Sequence, residues 1–229
     1  MLAARAPFVA KLPAARRRRL HGLMQLFLHD KRFEGCGGLE MTEEIRVTVA
    51  AHACRLLLGL QVEVPYPGLD VIRVYPHTYR TPTVRALGDV WVEGVESHRL
   101  GESSRRGYVV LAWDAVKRAA RRPEGHNVVL HEFAHQLDTE DGAADGAPPL
   151  PASLYGPWAR VLGEAFEELQ EDVAAHRRSV LDGYGATNPA EFFAVATESF
   201  FEDGARLRDR EPKLYEVLAR YYGQDPAEE

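Results

Sequence analysis

At 229 residues, 45% apolar and 27% charged, the chain has the composition of a water-soluble fold long enough to bury a sizeable core. Its net charge of −6 and pI near 5.9 argue against nucleic acid as the main partner, and no apolar stretch is long enough to span a bilayer. Two cysteines, Cys36 and Cys54, permit at most one internal disulfide, which excludes a disulfide-built scaffold.

Met1 to Pro13 carries Arg5, Lys11 and two prolines and lacks the apolar core of an export signal, so a cytoplasmic protein with reduced thiols is the default expectation. Leu20, Leu23, Met24, Phe27 and Leu28 recur at helical spacing and predict a helix over 14–29, with Arg16 to Arg19 as its solvated start. A helix over 42–58 follows, burying Cys54, whereas Cys36 falls in the glycine-rich turn 35–38. Strands are predicted near 70–75, 89–95 and 107–112, where Val, Ile, Tyr and Trp dominate. Further helices are predicted over 113–121, 126–138, 157–177, 189–202 and 211–222, with a Gly-, Ala- and Pro-rich loop over 141–151 that borders the cleft. The fold class is α+β, mostly helical with a small mixed sheet, in one domain over 1–229 whose first 60 or so residues form a helical portion.

The helix over 126–138 carries His131-Glu132-Phe133-Ala134-His135. Residues four apart lie on one helix face, so both imidazoles can reach one metal ion, and Glu132, about 100° round the helix, can hold a water bound to it. A surface helix could carry these residues harmlessly. Here Val128, Val129, Leu130, Phe133, Ala134 and Leu137 bury most of the circumference, and burying Glu132 unpaired would cost several kcal/mol or keep it protonated. A structural zinc would be closed by four ligands rich in Cys, and neither cysteine is placed for that.

A catalytic zinc keeps three protein ligands and an open position. Asp141 stands six residues after His135, the metzincin spacing, but Asp138 occupies the position of the required glycine and no methionine follows the motif. The other source is the helix over 189–202, which Asn188 should cap and Pro189 should open. Glu191 and Glu198, seven residues apart, share a face of it among Phe192, Val195 and Phe200, and either could bind a metal. Asp138 could orient a ligand imidazole, or cap or salt-bridge elsewhere.

The run Asn127 to Asp138, the segment Tyr184 to Ala194, and Phe33-Glu34-Gly35 with Gly38-Leu39 resemble the Mlc titration factor A family of bacterial zinc metallopeptidases. So do Ala53 to Leu60, Val74-Tyr75-Pro76, and Gly101-Glu102-Ser103 leading to Gly107 to Trp113. The spacing from Tyr184 to Glu191 is also similar to that in the catalytic domain of anthrax lethal factor. The resemblance implies a zincin-like metallopeptidase with one Zn²⁺ per chain on His131, His135 and Glu191. It implies Glu132 as general base, Tyr184 as the hydroxyl that meets the transition state, and Glu198 as a supporting acid. It also implies a peptide or protein substrate and weak aminopeptidase-like activity. A rival reading follows from the same family, a regulatory protein that sequesters a transcriptional repressor, with hydrolysis secondary.

Overall fold

The computed structural model describes residues 5–77, 82–87, 90–95, 107–121 and 126–228. Two helices, α1 (Phe8–Lys11) and α2 (Ala14–Asp30), open it. The predicted stripe of α2 is buried at Leu20, Leu23, Met24 and Phe27. Its arginines do more than face water, because Arg16, Arg17 and Arg19 donate to the carbonyls of Gly223, Leu12 and Leu60 respectively. α3 (Glu43–Arg55) starts where the Thr42 hydroxyl accepts from Ile45 N and where Glu43 and Glu44 complement the helix dipole.

The sheet differs from the expected mixed one. β1 (Arg32–Gly35), β2 (Val71–Tyr75) and β5 (Tyr108–Ala112) run parallel in the order β1-β2-β5, with Phe33 opposite Ile72 and Ile72 opposite Val109. β3 (Pro82–Leu87) and β4 (Val90–Val95) pair antiparallel as a separate ribbon. Parallel strands need crossover connections, and α3 lies in the one between β1 and β2. The resemblance block Gly101-Glu102-Ser103 lies outside the described residues.

β5 feeds α4 (Trp113–Arg121), and the motif helix α5 (Val128–Asp138) follows. α6 (Tyr155–Ala174), a 3-10 turn over Gly183–Thr187, α7 (Pro189–Glu202), α8 (Gly204–Arg210) and α9 (Pro212–Tyr222) complete the order. α9 closes the structure as expected, with Leu214, Tyr215, Val217, Leu218, Tyr221 and Tyr222 buried and Gly223 ending it in the left-handed conformation. One continuous apolar core links these elements. Two aromatic clusters flank α5 and α7. Phe27 and Tyr66 pack on Phe133 from one side, and Trp158 and Tyr221 pack on Phe193 from the other.

Candidate metal centre

Asn127 starts α5, its side-chain oxygen accepting from Val129 N and Leu130 N. Phe133, two positions from His131 and so about 200° round the helix, turns into the Phe27 and Tyr66 cluster. That orientation leaves His131 and His135 facing α7, which begins as predicted with Asn188 accepting from Glu191 N and Pro189 in the first turn. The three side chains expected to hold a metal, His131, His135 and Glu191, come together and are buried. Nε2 of His131 lies 3.1 Å from Glu191 Oε2 and 3.3 Å from His135 Nε2, and His135 Nε2 lies 3.3 Å from the same carboxylate oxygen.

This triangle fits a tetrahedral ion. Bonds of about 2.0–2.1 Å to nitrogen and oxygen place two donors of a tetrahedron about 3.3 Å apart. The electrostatics point the same way, since Glu132, Glu191 and Glu198 converge on two histidines where burial makes unneutralised negative charge costly. Burial alone would lower the His131 pKa, but its hydrogen bonds to Glu191 and Glu198 raise it to about 10. A proton there supplies part of the positive charge that the carboxylates call for. Burial raises Glu191 too, yet the two imidazoles outweigh it and hold the carboxyl down at about 2. His135 is lowered, chiefly by burial. Glu132 is pushed up to about 8 by burial, with His131 opposing and the other two glutamates reinforcing.

Glu198 is brought in behind the triangle instead of into it. Its Oε1 accepts from His131 Nδ1 at 2.7 Å and its Oε2 from Asn127 N at 2.5 Å. The seven-residue spacing puts two carboxylates on one face of α7, and they meet different nitrogens of one imidazole, Glu191 facing Nε2 and Glu198 facing Nδ1. Tyr184 comes from the 3-10 turn before α7, where Asp182 accepts from Tyr184 N, and its ring centroid is 6.2 Å from that of His131. Asp138 does not join the cluster. It is fully buried and its Oδ2 accepts from Gly146 N at 3.0 Å, fixing the loop that leaves α5. Gly146 in turn has φ +80°, and a Cβ there would stand 2.4 Å from Pro189 O, so the loop presses on the start of α7 two residues before Glu191.

Three polar residues of this region had no role in the sequence reading. Asn127 had a legible signal, an Asn directly before an apolar helical run. His52 and Glu202, which both approach the Asn127 amide, were signalled only as polar groups on apolar helices.

Comparison with known proteins implies a metal as well. A protein of Synechocystis sp. described only as uncharacterized is 42% identical over 229 residues, covering 99% of this chain and 83% of its own. Mlc titration factor A of Edwardsiella ictaluri is 34% identical over 96% of this chain and 85% of its own. That of Escherichia fergusonii is 31% identical over 96% and 83%. The sequence profile of the family described as glucose-regulated metallo-peptidase M90 matches residues 1–223, and the chain belongs to that family.

Proposed function

We propose that the protein is a zinc-dependent peptidase of zincin-like fold, a single cytoplasmic domain over 1–229 with a helical N-terminal portion. The observation that carries this reading is the buried triangle of His131 Nε2, His135 Nε2 and Glu191 Oε2, with edges of 3.1–3.3 Å. A zinc ion held there supplies Lewis acidity, which lowers the pKa of a water and polarises a carbonyl. Glu132 is the base that accepts the proton of the attacking water and returns it to the leaving amine, and burial raises its basicity toward neutral pH for that task. Tyr184 donates its hydroxyl to the developing oxyanion. Glu198 holds His131 Nδ1–H and so directs Nε2 at the ion. β5, an edge of the described sheet, presents backbone groups to an extended peptide.

Purified protein should carry about one zinc per chain, lost in His131→Ala and His135→Ala. Glu132→Gln should keep the zinc and the fold while losing nearly all cleavage of a peptide library, and Tyr184→Phe should lose roughly ten- to a thousandfold. Unchanged cleavage by Glu132→Gln would remove the peptidase assignment. It would favour the second reading, supported by the relatives' name, in which the chain binds a transcriptional repressor.

A further inference from the structure

We infer that Asn127 is a positioning residue of the metal centre, whose side-chain bonds to His52 and Glu202 hold in place the backbone N–H that fixes Glu198 behind His131. The inference rests on the metallopeptidase reading above. Asn127 is 1% exposed, and its polar atoms are engaged in several directions at once. Oδ1 accepts from Val129 N and Leu130 N at 3.2 and 3.3 Å, the backbone N–H donates to Glu198 Oε2, and Nδ2 lies 3.1 Å from His52 Nδ1 and 3.2 Å from Glu202 Oε1. Turning the amide over would set its oxygen against the Glu202 carboxylate and its NH₂ against two helix N–H groups, so one orientation is imposed.

The network has one arrangement because each of its groups has a fixed role. At one end His52 Nε2 lies 2.9 Å from the Arg5 carbonyl, which only accepts, so Nε2 carries the hydrogen and Nδ1 is left to accept from Asn127. Glu202 is held by Arg55, which only donates, at 3.0 Å. At the other end the Asn127 N–H occupies Glu198 Oε2. The remaining oxygen, Oε1, faces His131 Nδ1 at 2.7 Å, and accepting the hydrogen bond of Nδ1–H leaves Nε2 turned toward Glu191 and His135. The segment around Arg5, the α3 histidine and the cap of α5 thereby bear on one ligand's geometry. Phe8 braces the far end, its ring 5.5 Å from that of His52 and 4.3 Å from the Arg55 guanidinium.

The test titrates Zn²⁺ into the metal-free full chain against a competing chelator, with Co²⁺ as a spectroscopic probe of ligand geometry and thermal unfolding of the metal-free form alongside. Asn127→Ser keeps a helix-capping oxygen and the backbone N–H but removes the amide arm. It should lower zinc affinity about tenfold and alter the Co²⁺ spectrum, the size seen when groups supporting a ligand are removed. His52→Leu should weaken zinc roughly three- to tenfold, and His52→Asn, which returns an acceptor near the Nδ1 position, should restore it to within about threefold. A folded Asn127→Ser with wild-type affinity and spectrum overturns the inference. If that variant does not fold, the His52 pair decides, and equal affinity in His52→Leu and the wild type overturns it. A wild-type chain that binds no zinc would instead remove the metallopeptidase reading on which the inference stands.

Discussion

On one side of α5, Phe133 packs against Phe27 and Tyr66 with ring centroids 5.6 and 4.8 Å away, and the one polar side-chain group among these three residues, the Tyr66 hydroxyl, donates to Ala53 O. On the other side, His131 and His135 meet Glu191 and Glu198 of α7 through contacts of 2.7–3.3 Å. Both sides are buried, yet they resist change differently. Apolar packing is non-directional and scales with area, so it sets stability. The polar side depends on donors, acceptors and charge, and each group there leaves another unpaired when removed. Stability and metal affinity should therefore separate by face.

The largest effect expected is on the apolar side. Phe133→Ala should cost about 3–5 kcal/mol of folding free energy by leaving a cavity. Its folded fraction, measured well below the melting temperature, should bind zinc with wild-type affinity. A parallel collapse of affinity in the folded state would break the separation.

On the polar side the two glutamates sharpen the comparison. Glu198→Gln should lower zinc affinity roughly 10- to 100-fold by loosening His131, and Glu191→Gln should exceed that because a neutral amide is a poor substitute for a charged oxygen ligand. Chelator competition reads both, and the reverse order would make Glu198 the ligand.

The smallest effect tests the buried acid at the end of α5. Burial pushes Asp138 up to about 7, against the hydrogen bond from Gly146, so the folded state holds its proton more tightly than the unfolded chain. For an acid raised on folding, stability is fullest below the unfolded pKa of about 4 and falls as pH rises toward 7. Asp138→Asn keeps an oxygen for Gly146 N and removes the titration. Its melting temperature relative to wild type should climb by about a few degrees between pH 5 and pH 8. A constant difference across that range would contradict the buried-acid account.

Much of this arrangement was legible in the chain. The long helices declared themselves through their period, and α7 also through Asn188-Pro189 at its start. The convergence of His131, His135 and Glu191 could be expected from the motif and the resemblance. What stayed hidden were elements too short or too polar to carry a period. β1 has four residues, and α8 buries only Gly204 and Leu207 of seven. Parallel pairing of β1, β2 and β5 is a relation among segments that no local pattern encodes. The division of labour between Glu191 and Glu198 was likewise invisible to spacing. It is decided by where α5 crosses α7, which sets which imidazole nitrogen each carboxylate meets.

The donors of the triangle are 60 residues apart along the chain, from His131 to Glu191. An ion bound by both helices is thus also a cross-link, closing a loop that contains α6, the turn bearing Tyr184 and the segment from Thr139 to Leu154. Because such a site does not exist in the unfolded chain, its binding energy becomes folding energy, and closing a long loop removes much of the freedom of the open chain. On the proposed ligand set, full affinity for the ion should arise during synthesis only once α7 has emerged and docked. Acquisition of metal would then report the docking of α7 on α5.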